Sequence, residues 1–205
     1  MSVVGRVHGG YVHPRRVRVL AAHLAGVVPR DCELLDVGCG DGLLSSLLAE
    51  ARPDLAVSGI DVMARPEARI PVALFDGVRI PRPDRGADVV LFVDVLHHTR
   101  DPMLLLREAA RVARRAIVIK DHTLTGFLAG PTLRLMDWIG NVRHGVDLPY
   151  NYWTLKRWRE AFVELGLAVD AWIADVGLYP WPADLAFGRS LHFIARLAAR
   201  PGSPV

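Results

Sequence analysis

The chain contains little cysteine and no long apolar stretch. Its only cysteines, Cys32 and Cys39, are separated by six residues, and the second lies in a Gly-rich segment, so neither a disulfide nor a zinc site is expected. Reduced thiols are the usual state in the cytosol. No apolar run approaches the roughly 20 residues of a membrane span, and the N-terminus lacks the hydrophobic segment of a secretory signal. These absences predict a soluble, cytoplasmic protein without a transmembrane segment.

An excess of charge of one sign is also missing. Lys+Arg 25 against Asp+Glu 22 leaves a formal net charge of +3, and the sequence pI of 9.2 reflects a surplus carried almost wholly by arginine. Proteins that bind nucleic acid usually concentrate basic residues into a patch or stripe. We therefore expect no nucleic-acid partner, and the oligomeric state stays open.

Residues 34–48 have the pattern of a nucleotide-binding turn. An apolar run carries Asp36, the glycines Gly38, Gly40 and Gly42 follow at alternate positions, and leucines then recur at helical spacing. Glycines let the backbone approach a ligand closely, and the N–H groups of the first helical turn point at it. The segment is predicted to be a strand, a tight turn and a helix N-terminus that together hold a nucleotide.

The glycine spacing favours one kind of nucleotide over another. A dinucleotide fingerprint is Gly-x-Gly-x-x-Gly, whose last glycine allows close packing of the helix on the strand. Here Leu43 stands in that third position and Gly42 comes one residue early. A nicotinamide-dependent oxidoreductase is therefore a disfavoured alternative. A wide turn preceded by Asp36 suits a ligand that carries a positive charge.

Five short apolar runs predict a mainly parallel α/β sheet, the last of them over 116–119 and followed by Lys120-Asp121-His122. The first four runs end in acids, and ligands in such sheets bind outside the carboxyl ends of the strands. These acids are Asp36, Asp61, Asp76 and Asp94. Pro66, Pro81 and Pro83 leave no room for full helices between the second and fourth runs.

The remaining elements are read from periodicity and capping residues. Two closing strands, plausibly an antiparallel pair, are predicted over 167–174 and 191–197. Helices are predicted after Pro14, after Asp101-Pro102, over 125–139 with an early interruption at Gly130-Pro131, and after Thr154.

At this point the sequence resembles a known family, the class I S-adenosylmethionine-dependent methyltransferases. The likeness covers roughly residues 32 to 120. It is carried by 34–42 (LLDVGCGDG), 59–61 (GID), 75–77 (FDG) and 88–98 (DVVLFVDVLHH). It implies a Rossmann-like methyltransferase fold, α/β, with a mainly parallel seven-stranded sheet, an antiparallel last strand and a helical insertion after the fifth strand.

The resemblance also implies S-adenosyl-L-methionine as cofactor and S-adenosyl-L-homocysteine as product. Around the methionine portion and the sulfonium it implies contacts from Asp36, Gly38, Cys39, Gly40, Val93, Asp94 and His98. Around the nucleoside it implies Asp61 on the ribose hydroxyls, Val62 beside it, Asp76 on the adenine amine, and Gly77, which leaves room for the ring.

Methyl transfer is an in-line displacement from an activated sulfonium, so the protein mainly supplies proximity and a dry pocket. A base is needed only if the acceptor must lose a proton. His122, after the fifth strand, is the first candidate, with Asp121 or Asp137 as the group that orients it, and His144 is the second. Each could instead cap a helix or bond a carbonyl. No ligand spacing supports a metal site, so none is predicted.

Tyr150, Tyr152 and Trp153 cluster in the region after the fifth strand, which favours an aromatic or otherwise apolar small-molecule acceptor. The predicted function is methyl transfer to its oxygen, nitrogen or carbon. A cofactor-binding protein without turnover that acts through a partner remains an alternative. A nucleic-acid amino-methyltransferase is disfavoured, because Asp94-Val95-Leu96-His97 stands where those enzymes carry an Asn-Pro-Pro-Tyr-like run.

A single domain over residues 1–205 is expected, since 51% hydrophobic and 23% charged residues are an ordinary globular balance. Its five predicted parts are an N-terminal arm and helix (1–30), a cofactor-binding core (31–121), a substrate-side insertion (122–153), a closing helix and strands (154–197), and a tail (198–205).

Overall fold

The computed structural model describes residues 13–141, 149–188 and 190–199. Within them, seven strands form one sheet. In chain order they are β1 (Cys32–Val37), β2 (Leu55–Asp61), β3 (Val72–Leu74), β4 (Ala87–Val93), β5 (Ala113–His122), β6 (Leu167–Ile173) and β7 (His192–Ala199). The order across the sheet is β3-β2-β1-β4-β5-β7-β6. β7 runs antiparallel to both of its neighbours, β5 and β6, and the other pairs of described strands are parallel. This confirms the predicted mainly parallel sheet with an antiparallel last strand.

The helices lie between these strands. They are α1 (His13–Val27), α2 (Leu43–Ala51), a 3₁₀ turn η1 (Leu96–His98), α3 (Pro102–Val112), α4 (Ala129–Asn141), α5 (Leu155–Glu164) and α6 (Ala183–Phe187). The segments from β2 to β3 and from β3 to β4 contain no helix, as their prolines predicted. None of the helices formed by the described residues combines the length and the apolar character needed to cross a bilayer.

The central strands bury side chains on both faces of the sheet, which explains their continuous apolar sequences. Leu35 and Phe92 point into the core on one face. Leu34, Val89 and Leu91 point into the core on the other. All five are 0–1% exposed, and each such side chain contributes about 1.5–3 kcal/mol of transfer free energy. The sheet therefore holds the carboxyl ends of β1 and β4 side by side as a rigid platform.

Capping residues fix two of the helices as predicted. The Asp101 carboxylate accepts hydrogen bonds from the backbone N–H groups of Met103 and Leu104 at the start of α3. The Thr154 hydroxyl accepts one from the N–H of Arg157 at the start of α5. Such caps satisfy N–H groups that have no partner inside the helix.

Two predicted boundaries were wrong. The fifth strand does not end at Ile119 but continues through His122, because β7 pairs with it along that whole length. The helix predicted from Thr125 begins only at Ala129. Pro131 then lies in the first turn, where its missing N–H costs no hydrogen bond, so it does not interrupt the helix.

Candidate functional site

The Gly-rich turn between β1 and α2 is built from left-handed backbone. Gly38 and Gly42 have φ of 76° and 75°, a region that side chains disfavour. A Cβ on Gly38 would lie 2.6 Å from a Val95 methyl carbon, and one on Gly42 would lie 2.6 Å from Ile70. Glycine is therefore required twice over, by conformation and by close packing.

A cavity of about 250 Å³ opens between this turn, α1 and the end of β4. Its volume is below the roughly 300–1,000 Å³ typical of pockets for drug-sized ligands. Of the residues predicted around the methionine portion and the sulfonium, Asp36, Gly38, Cys39, Val93 and Asp94 line it, whereas Gly40 does not. The full lining is Arg16, Val17, Leu20, Asp36, Gly38, Cys39, Asp41, Leu43, Leu44, Val93 and Asp94. The cavity thus brings together side chains of α1, the Gly-rich turn and the end of β4.

Asp36 is a buried carboxyl on this wall, with 3% of its surface exposed. Its Oδ2 accepts a hydrogen bond from the Ser45 hydroxyl at 2.6 Å. Burial raises the pKa of Asp36 to about 6, against the opposing effect of the Ser45 hydrogen bond. A group of this kind ionises readily when a cation is placed beside it.

Asp61 joins β2 to the Gly-rich turn. Its two carboxylate oxygens accept backbone hydrogen bonds, Oδ2 from Gly40 at 2.8 Å and Oδ1 from Met63 at 2.9 Å. Each carboxylate oxygen has two lone pairs, so both can still accept a ligand hydroxyl. Asp61 lies outside the cavity lining described above.

The predicted adenine contacts lie further along the same edge. Asp76 Oδ1 accepts hydrogen bonds from the N–H groups of Val78 and Arg79, both at 2.8 Å. These bonds lower the pKa of Asp76, so its carboxylate is an ionised acceptor. Gly77 faces Val62, since a Cβ there would lie 3.1 Å from a Val62 methyl carbon, and Val62 is 57% exposed.

Asp94 follows β4 with an unusual positive φ of 56°. Its Oδ1 accepts a short hydrogen bond from the Lys120 ammonium, and its Oδ2 forms an ion pair with Arg16 at 3.5 Å. Burial alone would raise the pKa of Asp94, but these two cations hold it well below its usual range. Asp94 is therefore a permanent anion in the wall of the cavity.

Lys120 is fully buried beneath Asp94. Burial lowers its pKa, and Asp94 works in the opposite direction. The Lys120 ammonium also lies 3.4 Å from Nδ1 of His192, whose Nε2 lies 3.0 Å from the Phe187 carbonyl oxygen. A carbonyl only accepts, so Nε2 of His192 carries the proton and its Nδ1 can accept from Lys120.

His97 lies between two buried carboxylates. Its Nδ1 is 2.6 Å from Asp121 Oδ1, and its Nε2 is 3.4 Å from Asp137 Oδ2, which also accepts a short hydrogen bond from the Tyr152 hydroxyl. Burial opposes a charge on the ring, but Asp121 and Asp137 outweigh it and raise the pKa of His97 to about 10. His97 is therefore an imidazolium at neutral pH.

The predicted catalytic residues His122 and Asp121 are both buried beside this pair, at 3% and 0% exposure. His122 Nδ1 lies 3.4 Å from Asp121 Oδ1 and 3.5 Å from Asp94 Oδ1, without a hydrogen bond to any described residue. Burial and Lys120 hold the pKa of His122 well below its usual value. His144 lies outside the described residues.

His98, predicted at the cofactor, ends the η1 turn and is half-buried. It does not line the cavity. Its ring centroid lies 4.0 Å from that of His97. Burial and the His97 cation lower the pKa of His98, which keeps its ring neutral.

Two groups of described side chains have the composition of a metal site. One comprises Asp94, His97, Asp121 and His122, and the other comprises His97, His98 and Asp137. Cations of the chain itself already balance these carboxylates, because Lys120 binds Asp94 and His97 is an imidazolium between Asp121 and Asp137. We assign no metal to either group.

Six of the lining residues were not predicted at the site, and Arg16 is the basic one among them. The arginines after Pro14 have the composition of a solvated helix face, yet the Arg16 side chain is only 23% exposed and its Nε is buried without a hydrogen-bond partner among the described residues. The available signal was spacing, since Arg16 shares one helix face with the apolar Leu20 four residues later.

The aromatic residues after the fifth strand are also placed differently from the prediction. Tyr152 is buried against Asp137, and Trp153 packs on the core residue Trp158 at 4.8 Å between ring centroids. Their clustering therefore serves packing in this structure. Large exposed apolar side chains lie instead at Phe127 and Trp138, at 82% and 55% exposure.

Comparison with known proteins adds to this geometry. The chain is 33% identical to 27-O-demethylrifamycin SV methyltransferase of Amycolatopsis mediterranei over 46% of its length and 40% of that protein. It is 34% identical to the ubiquinone biosynthesis O-methyltransferase of Erwinia tasmaniensis over 50% of its length and 46% of that protein. The chain thus spans less than half the length of these relatives.

A solved S-adenosylmethionine-dependent methyltransferase from Mesorhizobium loti has the same fold, with a TM-score of 0.64 and 18% identity over 86% of this chain and 96% of that one. The family model described as "Methyltransferase domain" matches residues 11–171. That match covers most of the chain and includes the Gly-rich turn and all four acidic strand ends. The chain therefore belongs to the methyltransferase domain family.

Proposed function

We propose that this protein transfers a methyl group from S-adenosyl-L-methionine to a hydroxyl of a small apolar or aromatic molecule. The observation that carries the proposal is the cavity of about 250 Å³ at the ends of β1 and β4, which is lined by Arg16 and by three carboxyls. Of these carboxyls, Asp36 has a raised pKa and Asp94 a lowered one. When bound, the cofactor would supply a methyl group on an already activated sulfonium. The chain then has to bind, align and exclude water.

Arg16 and Asp36 divide the recognition of the amino-acid portion. An α-carboxylate is a bidentate match for a guanidinium, and Arg16 is the arginine that lines the cavity. An α-ammonium is a match for the buried Asp36, whose pKa of about 6 leaves it ionised at neutral pH. The two groups lie in the same cavity, as a zwitterion requires.

Asp94 and Val93 would lie beneath the sulfonium. Asp94 is a fixed anion, although Lys120 and Arg16 offset most of its charge. A sulfonium loses its charge as the methyl group leaves, so a strong anion beneath it would stabilise the reactant more than the transition state. The neutralised carboxylate avoids this penalty while still orienting the cofactor.

The nucleoside would follow the sheet edge from Asp61 to Asp76. Asp61 retains free lone pairs for the ribose hydroxyls, and Asp76 offers an ionised carboxylate to the adenine amine. Gly77 and the exposed Val62 supply a flat surface for the ring. In the same proposal, Gly38, Cys39 and Gly40 in the Gly-rich turn would contact the methionine portion.

An apolar acceptor is supported by the exposed side chains of Phe127, Leu128 and Trp138 beside and on α4. The two curated relatives are named as methyltransferases of a demethylrifamycin and of ubiquinone biosynthesis, and one name specifies O-methylation. In the proposal, the acceptor proton leaves to the histidine cluster at the ends of η1 and β5, which includes His98 and His122, with Asp121 as the orienting carboxylate.

Ligand-dependent stabilisation tests the proposal. S-adenosylhomocysteine at about 100 times its dissociation constant should stabilise the fold by about 2.7 kcal/mol, seen as a higher melting temperature, while NAD should not. A shift with NAD and none with S-adenosylhomocysteine would contradict it. Methylation of an apolar phenol, detected by mass spectrometry, then tests the acceptor class.

A further inference from the structure

Four histidines crowd together where β4, β5 and β7 meet. Three of them, His97, His122 and His192, are only 1–3% exposed. His98 is half-buried and is therefore the most exposed member of this group. A group that exchanges a proton with a bound acceptor and then with water needs such access.

His98 also has the chemical form of a base. Its Nδ1 is buried and has no hydrogen-bond partner among the described residues. The charged groups that act on the ring are the His97 imidazolium on η1, Asp137 on α4, Asp121 on β5 and Asp94 after β4. Burial and the adjacent His97 dominate and lower its pKa.

We propose that His98 is the general base that accepts the proton of the acceptor hydroxyl, an assignment that rests on the proposed methyl transfer. As the oxygen–methyl bond forms and the sulfur–methyl bond breaks, the electron pair of the O–H bond stays on oxygen and the proton passes to a ring nitrogen of His98. The positive charge of the sulfonium thereby ends on the imidazole.

The neighbouring cation then returns the base to its starting form. Protonated His98 would lie beside the His97 imidazolium, at a centroid distance of 4.0 Å, and like charges at that range disfavour each other. The proton therefore leaves through the exposed side of His98 to water. His97, held by Asp121 and Asp137, acts as a positioning residue that keeps His98 neutral.

His122 has a neutral ring, as a general base requires, but it is too deeply buried to exchange a proton with water. It is 3% exposed, its carbonyl accepts a hydrogen bond from the Trp158 indole at 3.0 Å, and its ring lies between those of His97 and His192 at 4.6 and 4.8 Å. These contacts fix the ring within the core. We therefore assign His122 to positioning of the cluster.

The protonation state of His98 is measured by NMR titration of labelled histidine rings in the full chain bound to S-adenosylhomocysteine, with His98→Gln to assign the signal. We expect a neutral His98 ring at pH 7 that titrates below the value of about 6.5 found for a free histidine. A His98 ring that is protonated at pH 7 overturns the assignment, whatever the acceptor is.

Turnover is measured with two probe phenols, 3,4-dihydroxybenzoate and 4-nitrocatechol, the second of which ionises near neutral pH without a base. His98→Gln should lower kcat on the first by about 100-fold or more and much less on the second. Raising the pH should restore the first reaction, while affinity for S-adenosylhomocysteine stays unchanged. The matched control is His23→Gln, a histidine of α1 whose ring bonds the Val176 carbonyl.

Equal losses on the two phenols, or a full rate of His98→Gln on 3,4-dihydroxybenzoate, would overturn the assignment. A larger and pH-dependent loss in His122→Gln than in His98→Gln would transfer the role to His122 and also overturn it. Wild-type protein that fails to bind S-adenosylhomocysteine contradicts the proposed function itself. If it binds that ligand but methylates neither phenol, the acceptor class is contradicted and the NMR titration alone decides the state of His98.

Discussion

Nδ1 of His97 lies 2.6 Å from Oδ1 of Asp121, and both side chains are buried to 1% exposure or less. A buried ion pair of this kind is costly to break, because removal of one partner leaves an uncompensated charge. Asp121 also accepts a hydrogen bond from the backbone N–H of Leu96 at 3.1 Å, so it fixes both the ring and the turn that carries it.

The first prediction concerns this pair. Asp121→Asn should destabilise the fold by about 3–5 kcal/mol at pH 7, since it removes the anion that holds the His97 charge. Urea unfolding monitored by circular dichroism measures the change. Asp170→Asn, which removes an exposed β6 carboxylate paired with Arg196 at 3.4 Å, is the control and should cost about 1 kcal/mol or less.

The same pair predicts a pH dependence. The folded pKa of His97 is raised to about 10, above the unfolded value of about 6.5. The stability from this group is therefore fully present below pH 6.5 and is lost as the pH rises through 10. Unfolding free energies at intervals from pH 6 to pH 10 should fall in the wild type and fall less in His97→Gln. Parallel curves for the two proteins would contradict the charge assignment.

Asp36 should show opposite effects on stability and on ligand binding. Its folded pKa of about 6 exceeds the unfolded value of about 3.9, so its ionised form is disfavoured in the folded, ligand-free protein. Asp36→Asn should therefore raise the unfolding free energy at pH 8, by up to about 3 kcal/mol, and weaken binding of S-adenosylhomocysteine. Calorimetric titration and urea unfolding of the same variant test both effects.

A variant that loses both stability and affinity would show that Asp36 is mainly structural. Ser45→Ala is the companion change. It removes the hydrogen bond to Asp36 Oδ2 and should raise the pKa of Asp36 further. As the pH is lowered, the affinity for S-adenosylhomocysteine should therefore begin to fall at a higher pH than in the wild type.

Arg16 can be tested with two ligands, one of which lacks the amino-acid portion of the cofactor. S-adenosylhomocysteine carries the α-carboxylate that we assign to Arg16, and 5′-methylthioadenosine does not. Arg16→Ala should weaken the binding of S-adenosylhomocysteine by about 10- to 150-fold, which is the equivalent of a charged hydrogen bond of about 1.5–3 kcal/mol. The affinity for 5′-methylthioadenosine should stay nearly unchanged. Arg18→Ala, on the exposed face of the same helix, should affect neither. Equal losses for both ligands would indicate a general effect on α1.

Glycine variants test the turn. Gly38→Ala places a Cβ 2.6 Å from Val95 in left-handed backbone, whereas a Cβ on Gly40, with φ of 60°, meets no atom within 4 Å. Both changes strain the backbone by about 1–2 kcal/mol, and only the first adds a clash, so Gly38→Ala should be the less stable variant in thermal unfolding. Gly26→Ala, in α1 with open space and ordinary φ, should stabilise the helix by up to about 1 kcal/mol.

The sequence was sufficient to predict the sheet, the turn and the acidic strand ends, because each depends on local pattern. Apolar runs bounded by prolines and glycines determine the strands, and parallel strands bring their carboxyl ends together. Gly38 and Asp61 could be placed in this way, and Asp61 indeed accepts a hydrogen bond from the turn.

The buried charge network could not be predicted in this way. Lys120 interrupts the apolar pattern of β5, so the strand seemed to end before it, yet its partners Asp94 and His192 are 26 and 72 residues away in the chain. His97 pairs with carboxylates 24 residues away on β5 and on α4. Only the fold brings these side chains together, and the hydrophobic periodicity of the sequence does not indicate which distant residues will pair.

The contact between Gly38 and Val95 links the Gly-rich turn to the η1 turn. Val95 stands between Asp94 and the η1 turn, and its methyl groups fill the space that a side chain at position 38 would take. A ligand that shifts the Gly-rich turn therefore pushes directly on the segment that carries His97 and His98. Occupancy on the cofactor side would then set the alignment on the acceptor side, which favours an ordered sequence of binding with the cofactor first.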